Sequence, residues 1–159
     1  MRNLYDTEEF ENAYTYLGHD LGAFWTESQT VFRLWAPTAR EVTLLLYRDG
    51  LGGEPLASQQ LHPEKNGTWI ARRMGNLKGL YYTYLVNVDG QAKEACDPYA
   101  KAVGGNGQRA MVIDLQETNP AGWTEDRSPF RGKGITDAVL YELHIRDLSM
   151  HRSSHIQNK

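Results

Sequence analysis

The carboxylates of this sequence are scattered instead of paired. Hydrolysis of a glycosidic bond needs two acids held roughly 5–10 Å apart across a cleft. Here the acids are scattered along the chain, and most lie at turn signals, where an aspartate has a local backbone role. Examples are Asp20, Asp49, Asp89, Glu94 and Asp97. We therefore predict no catalytic residue in this chain.

The histidines, the cysteine and the glycine-rich stretch give no metal or cofactor motif. Only His151 and His155 have a metal-like spacing, and they lie in a polar tail where solvation is the simpler interpretation. Cys96 is the single cysteine, so no internal disulfide or cysteine zinc site is available. Residues 104–107 (GGNG) lack the lysine and hydroxyl residue that would follow in a phosphate-binding loop. The sequence predicts no metal and no cofactor.

The tryptophans are the side chains that could bind a sugar. Flat aromatic rings stack on pyranose faces while a few polar groups fix the orientation. Trp69 follows an Asn-Gly turn and suits either the core or a surface platform, and Trp25 is the second candidate. Trp35 ends an alternating segment and is interpreted as a core residue. The candidate carbohydrate-binding residues are therefore Trp69 and Trp25.

Short β-strands must position these rings. Turn signals recur about every ten residues, and no long helix is interleaved, which is typical of a β-sandwich. Asp6 or Thr7 could cap one short helix that contains Phe10 and Tyr14. The predicted strands cover 30–35, 41–47, 56–61, 68–73, 80–88, 92–95 and 111–115.

The last part of the chain has a different pattern. Residues 116–134 predict an extended linker, and a strand is predicted over 137–145. That strand is apolar on both faces, as in a parallel sheet or a barrel, and needs cover on both sides. In isolation we expect it to fray, to add to the sandwich edge, or to pair with a second copy as an edge-strand dimer.

Composition disfavours several partners. The chain has 159 residues, a net charge of −3 and no block of basic residues, which argues against nucleic acid. Its apolar runs are far shorter than a membrane span. No apolar signal region follows Met1. If Met1 is the natural start, a reducing cytoplasm is the expected location.

Four motifs, in order, resemble a known family. The string at 32–44, FRLWAPTAREVTL, is similar to the opening of the isoamylase-type carbohydrate-binding module. Gly67-x-Trp69, the tyrosines at 81–84 and the turn at 88–90 resemble its later strands. The strings DPYAKAVG at 97–104 and ITDAVLYELHIRDLS at 135–149 resemble type I pullulanases more narrowly. The resemblance covers about residues 17–159.

This resemblance implies an all-β fold and an accessory role. It places an immunoglobulin-like β-sandwich at 17–115, after an N-terminal extension at 1–16. After the linker at 116–134, residues 135–159 would begin the (β/α)8 barrel of the parent, which one strand cannot close. The implied parent is a retaining hydrolase of α-1,6-glucosidic branch linkages in pullulan, glycogen or amylopectin. Its catalytic carboxylates would lie beyond this chain, whose own role is to pack on the parent's barrel.

One departure from the family bears on glycan binding. Glycogen-binding members of the module carry a tryptophan shortly after Asp-Gly, whereas Ala92 stands there in this chain. We therefore expect α-glucan binding to be weak or absent. Two alternatives stay open, an autonomous α-glucan-binding module and an immunoglobulin-like protein-interaction module. The barrel-type segment argues against the second.

Overall fold

A computed structural model describes residues 4–132 and 134–157 of the chain. They divide into two compact units, Met1–Asn119 and Pro120–Lys159. The first unit contains the β-sheets, and the second contains only short helical turns and segments without regular structure among its described residues. None of the helices described is long and apolar enough to span a bilayer.

Two antiparallel sheets build the first unit. Its strands are β1 (Gly22–Trp25), β2 (Gln29–Trp35), β3 (Glu41–Tyr47), β4 (Ala57–Gln60), β5 (His62–Pro63), β6 (Thr68–Met74), β7 (Tyr81–Val88), β8 (Gln91–Ala95) and β9 (Ala110–Met111). The first sheet has the order β1-β2-β6-β5. The second has the order β4-β3-β7-β8, and β9 also pairs with β7. The predicted all-β sandwich is confirmed.

Alternating side chains place the core between the sheets. In β2 every second residue is buried, beginning at Thr30, and β3 buries Val42, Leu44 and Leu46 in the same way. Because side chains alternate across a strand, this pattern turns one face of each sheet inward. The fully buried members include Phe32, Leu44, Tyr82, Tyr84 and Val112.

The predicted turns occur where residues with positive φ allow them. Asn66 has φ of 58° and Asp89 has φ of 51°, and both precede a glycine that is also left-handed. Asparagine, aspartate and glycine tolerate this region better than other residues do. The turn at Asn66 leads into β6, and the turn at Asp89 joins β7 to β8.

The N-terminal helix is fixed to the first sheet. Helix α1 spans Glu8–Tyr14, and its cap, Thr7, accepts a hydrogen bond from the Phe10 amide at 3.2 Å. At the other end the Trp35 indole Nε1 donates to the Tyr14 carbonyl oxygen at 2.8 Å. The predicted short helix and its Thr7 cap are confirmed.

Two strand predictions are wrong. Residues 111–115 give only the two-residue β9, because Asp114 caps a 3-10 helix at Leu115–Thr118 by accepting from the Gln116 amide. The strand predicted over 137–145 does not form either. A 3-10 turn at Ile135–Asp137 and helix α2 at Ile145–Met150 flank residues without regular structure. A strand needs a hydrogen-bonded neighbour, and the described residues supply none to this segment.

Candidate glycan-binding and docking surfaces

Trp69 is a core residue in the structure. Its side chain lies on the inward face of β6 and is 7% exposed. The indole Nε1 donates to the Ala36 carbonyl oxygen at 3.0 Å, which satisfies the only polar atom of the ring. No face of the ring is open to a sugar, so the position of Trp69 opposes its predicted platform role.

Trp25 is half-buried at the end of β1. Its indole Nε1 donates to Asn76 Oδ1 at 2.9 Å, and the Lys78 ammonium lies 5.3 Å from the ring centroid. That distance is within cation–π range. Lys78 also pairs with Glu117 at 2.6 Å. One face of Trp25 is therefore already engaged by a cation, although part of the ring reaches solvent.

The two predicted tryptophans do not form one site. Trp25 is opposite Thr30 in β2, while Trp69 is opposite Leu34. Both side chains occupy the inward face of the first sheet, but their partners in β2, Thr30 and Leu34, are four positions apart along the strand. At about 3.3 Å per residue, this is roughly 13 Å.

The outward face of the second sheet carries a polar cavity of about 390 Å³. Glu94 Oε1 accepts hydrogen bonds from the hydroxyls of Thr83 and Tyr47, each at 2.7 Å. These two bonds hold the pKa of Glu94 below its ordinary value, the Thr83 bond having the larger effect. Sequence analysis missed this cluster, because its members lie on different strands and only the sheet register brings them together.

Arg109 closes one side of this cavity. Its guanidinium carbon lies 3.4 Å from the centroid of the Tyr47 ring. Its Nη1 donates to the carbonyl oxygens of Asp49 and Gly52, at 2.8 and 2.6 Å. Arg109 therefore covers the aromatic ring nearest to the cavity and ties down the loop after β3.

Ala92 lies on this same outward face. Along β8 the inward positions are Gln91, Lys93 and Ala95, since Ala95 is opposite the buried Tyr84. Ala92 and Glu94 therefore point outward. No tryptophan, tyrosine or phenylalanine is among the described residues that line the cavity. The face on which a glycan-binding ring is expected thus presents a carboxylate and a methyl group.

The second unit carries a run of exposed apolar side chains. Ile135, Val139 and Leu140 are 93%, 91% and 94% exposed, and Tyr141 and Ile145 are exposed as well. Isolated exposed apolar residues are normal, whereas several close together are typical of a surface that contacts a partner. The segment that resembles a barrel strand is therefore left uncovered by the described residues.

Within residues 4–132 and 134–157, no three histidine, cysteine or acidic side chains gather as they would around a metal ion.

The carboxylates with shifted pKa values serve the fold. Asp20 pairs with Arg33 at 2.8 Å and accepts from Tyr16. Asp97 is buried beneath Tyr82. None of these faces another carboxylate as a catalytic pair would.

Sequence comparison assigns the sandwich. The profile of carbohydrate-binding module 48, described as the isoamylase N-terminal domain, matches residues 20–100. The chain belongs to carbohydrate-binding module 48. The matched residues contain β1 to β8 and lie within the range predicted for the module.

Relatives of this module-48 chain include pullulanases. The pullulanase of Bacillus subtilis (strain 168) is 33% identical over 153 residues, which are 96% of this chain and 20% of that protein. The chloroplastic pullulanase 1 of Arabidopsis thaliana is 33% identical over 139 residues, 81% of this chain and 14% of that protein. The chain spans about a fifth or less of the length of these relatives.

Solved pullulanases share the fold. The apo crystal structure of pullulanase from Paenibacillus barengoltzii has a TM-score of 0.82 at 46% identity. The match covers 92% of this chain and 22% of that one. A pullulanase from Anoxybacillus sp. LM18-11 complexed with maltotetraose gives a TM-score of 0.77 at 37% identity.

Proposed function

We propose that this chain is the accessory module of a longer pullulanase-type enzyme that hydrolyses α-1,6-glucosidic branch linkages. The observation that carries the proposal is the extent of the similarity. Module 48 accounts for residues 20–100, but the likeness to the pullulanase of Bacillus subtilis covers 96% of the chain. The residues outside the module therefore also resemble a pullulanase.

In this proposal the chain itself has no hydrolytic role. Retaining hydrolysis needs a nucleophile and an acid/base about 5–5.5 Å apart. The carboxylates best held by the fold are engaged elsewhere: Asp20 with Arg33, Glu94 with two hydroxyls and Asp97 with Tyr82. The catalytic pair would belong to the parent's barrel.

The module's partner is the parent's own catalytic domain. The exposed apolar residues Val139, Leu140 and Tyr141 would be covered when the segment becomes the first strand of that barrel. This accounts for a sequence that is apolar on both faces and lacks a neighbour among the described residues. An immunoglobulin-like protein-interaction module would have no use for such a segment.

Glucan binding by the outward face of the second sheet is a minor activity in this proposal. Ala92 adds no ring there, and Arg109 already covers Tyr47. The alternative is an autonomous α-glucan-binding module. The partial exposure of Trp25 to solvent is the observation that favours it. Trp69 is too deeply buried to contribute without rearrangement of the core.

A reducing cytoplasm is part of the same proposal. Cys96 is a free, half-buried thiol, and burial raises its pKa. A reducing compartment would keep it in this state. Fractionation of the source cells, followed by detection of the chain, tests this location.

Incubation with pullulan tests the assignment. The chain alone should release no reducing ends above a buffer control, while a longer protein encoded by the same reading frame should release them. The matched variant is Leu140→Asp in that longer protein, which should lower the yield of folded enzyme because it places a charge where the barrel requires an apolar strand. Turnover by the chain alone would refute the accessory role.

A further inference from the structure

The N-terminal extension and the turn after β2 together form an aromatic cavity, and four of its six lining residues precede the module-48 match. Six residues line this space of about 290 Å³, which we call the Tyr14 cleft: Thr7, Glu9, Phe10, Tyr14, Pro37 and Thr38. It lies where α1 packs beside the turn after β2. We propose that the Tyr14 cleft binds a glucose unit of an α-glucan chain.

Two of the lining residues, Phe10 and Tyr14, supply aromatic rings to the cleft. The Phe10 and Tyr14 ring centroids are 4.7 Å apart with their planes tilted by 51°. Tyr5 meets Phe10 edge-on at 5.2 Å and is itself 51% exposed. Aromatic faces of this kind accept the C–H groups of a pyranose ring, and Pro37 adds a further apolar side chain to the lining.

The back wall of the cleft is rigid. The Tyr14 carbonyl is held by the Trp35 indole at 2.8 Å, and that same indole also donates to the Asn66 carbonyl at 3.1 Å. The backbone at Gly67 approaches so closely that a Cβ there would lie 2.6 Å from the Pro37 side chain and 3.0 Å from the Tyr14 ring. A preformed wall lowers the ordering cost of binding a small ligand.

The polar groups at the rim suit a neutral, hydroxyl-rich ligand. Glu9 and Thr38 line the cleft and form no hydrogen bond or ion pair with other described residues. A carboxylate accepts O–H bonds from sugar hydroxyls. Asp6, Glu8 and Glu11 are close to Glu9 in the sequence, and residues 4–14 contain no lysine or arginine. This charge repels phosphorylated and carboxylated ligands and leaves neutral sugars unaffected.

The choice of an α-glucan rests on the proposed function, since the parent would act on such polymers. The cavity is at the lower end of the size range of ligand pockets, so it holds one sugar unit instead of an extended chain. A dissociation constant of about 1 mM for a short glucan is therefore expected. The cleft would add affinity when a long polymer is already held by the parent.

Amide-resolved NMR of the intact chain tests the proposal with maltoheptaose as the probe. Amide shifts should move at residues 7–14 and at Thr38 and stay constant along Gln91–Ala95. Phe10→Leu keeps an apolar side chain but removes the ring, and it should weaken binding about fivefold. Phe24→Leu is the matched control, because Phe24 is another partly exposed phenylalanine, at 37%.

Each result decides the question. Shifts confined to the cleft, weakened by Phe10→Leu and not by Phe24→Leu, support the proposal. Shifts at Trp25 or on β8, or no shifts at about 10 mM maltoheptaose, would overturn it. Spectral dispersion away from α1 shows whether Phe10→Leu remains folded. Pullulan hydrolysis by the longer protein does not enter this readout, so failure of the cleft would leave the proposed function standing.

Discussion

The Tyr82 hydroxyl donates a hydrogen bond to Asp97 Oδ2 at 2.7 Å inside the sandwich. Asp97 is only 3% exposed, and its Oδ1 accepts the Tyr99 amide at 2.8 Å. Burial, as the largest effect, raises the pKa of the Asp97 carboxyl. The Asp-Pro-Tyr motif, part of the string that resembles pullulanases, is thus an anchor that ties the loop after β8 to the core.

Removal of this anchor should destabilise the module. Asp97→Ala leaves the buried Tyr82 hydroxyl and the Tyr99 amide without their acceptor, so we expect a loss of about 2–3 kcal/mol in the free energy of unfolding. Asp97→Asn keeps an acceptor oxygen of similar shape and should cost less than about 1 kcal/mol. Urea denaturation followed by tryptophan fluorescence measures both. Equal stability of Asp97→Ala and the native chain would contradict the anchor.

The same carboxyl should make stability depend on pH. Because the folded-state pKa of Asp97 is raised, the folded state holds its proton more tightly than the unfolded state, whose pKa is about 3.9. The stabilising contribution is complete below about 3.9 and is lost as the pH rises through the higher folded pKa. The free energy of unfolding of the native chain minus that of Asp97→Asn should therefore fall over this interval. Asp20 and Glu94, whose pKa values are lowered, act in the opposite direction in both proteins and cancel in the difference.

A ring restored on the outward face of β8 should create glucan affinity. Ala92→Trp places an indole beside Glu94, and stacking on a sugar contributes about 1 kcal/mol, or about fivefold in the dissociation constant. Ala95→Trp makes the same change on the inward face of that strand and is the control. Titration with maltoheptaose compares the two. An equal gain in both variants would show that position on the sheet does not matter.

Proteolysis should separate the sandwich from the apolar segment at 135–145. Trypsin is expected to cut first after Arg127 or Arg131, in the exposed stretch between the sandwich and the apolar segment. A fragment that contains the sheets should persist. Mass spectrometry of the early products identifies the site. First cuts within β2, β3 or β7 would contradict this account. If the chain sediments as a dimer and its linker is protected from trypsin, that result would support edge pairing of two copies.

The strand bounds were predicted best where a run rich in β-branched, leucine or aromatic residues is bounded by a turn signal. The predicted bounds of β3 agree with the structure, and those of β2, β6 and β7 differ from it by one residue at most. Burial alternates along β2 and most of β3 but not along β6 and β7, where the residue types and the flanking turn signals set the bounds. The same logic failed at 137–145, because an apolar segment becomes a strand only when another strand pairs with it.

The candidate sites depended on information that no local pattern contains. Trp69 and Trp25 both lie in strands of the first sheet, yet one is buried between the sheets and the other reaches solvent. Glu94 meets Tyr47 and Thr83 through the pairing of three strands. The Tyr14 cleft forms only because α1 packs beside Pro37, and Pro37 lies 23 positions after Tyr14 in the sequence. Such long-range contacts set the chemistry of a surface, and they become visible only in the folded chain.

Release of reducing ends from pullulan tests the central claim most directly. The longer protein encoded in frame with this chain should hydrolyse the α-1,6 linkages of pullulan, and the chain alone, at equal molar concentration, should release nothing above buffer. That result would place the activity in a domain that this module accompanies. An inert longer protein that is shown to be folded, or a chain that hydrolyses pullulan by itself, would contradict the account.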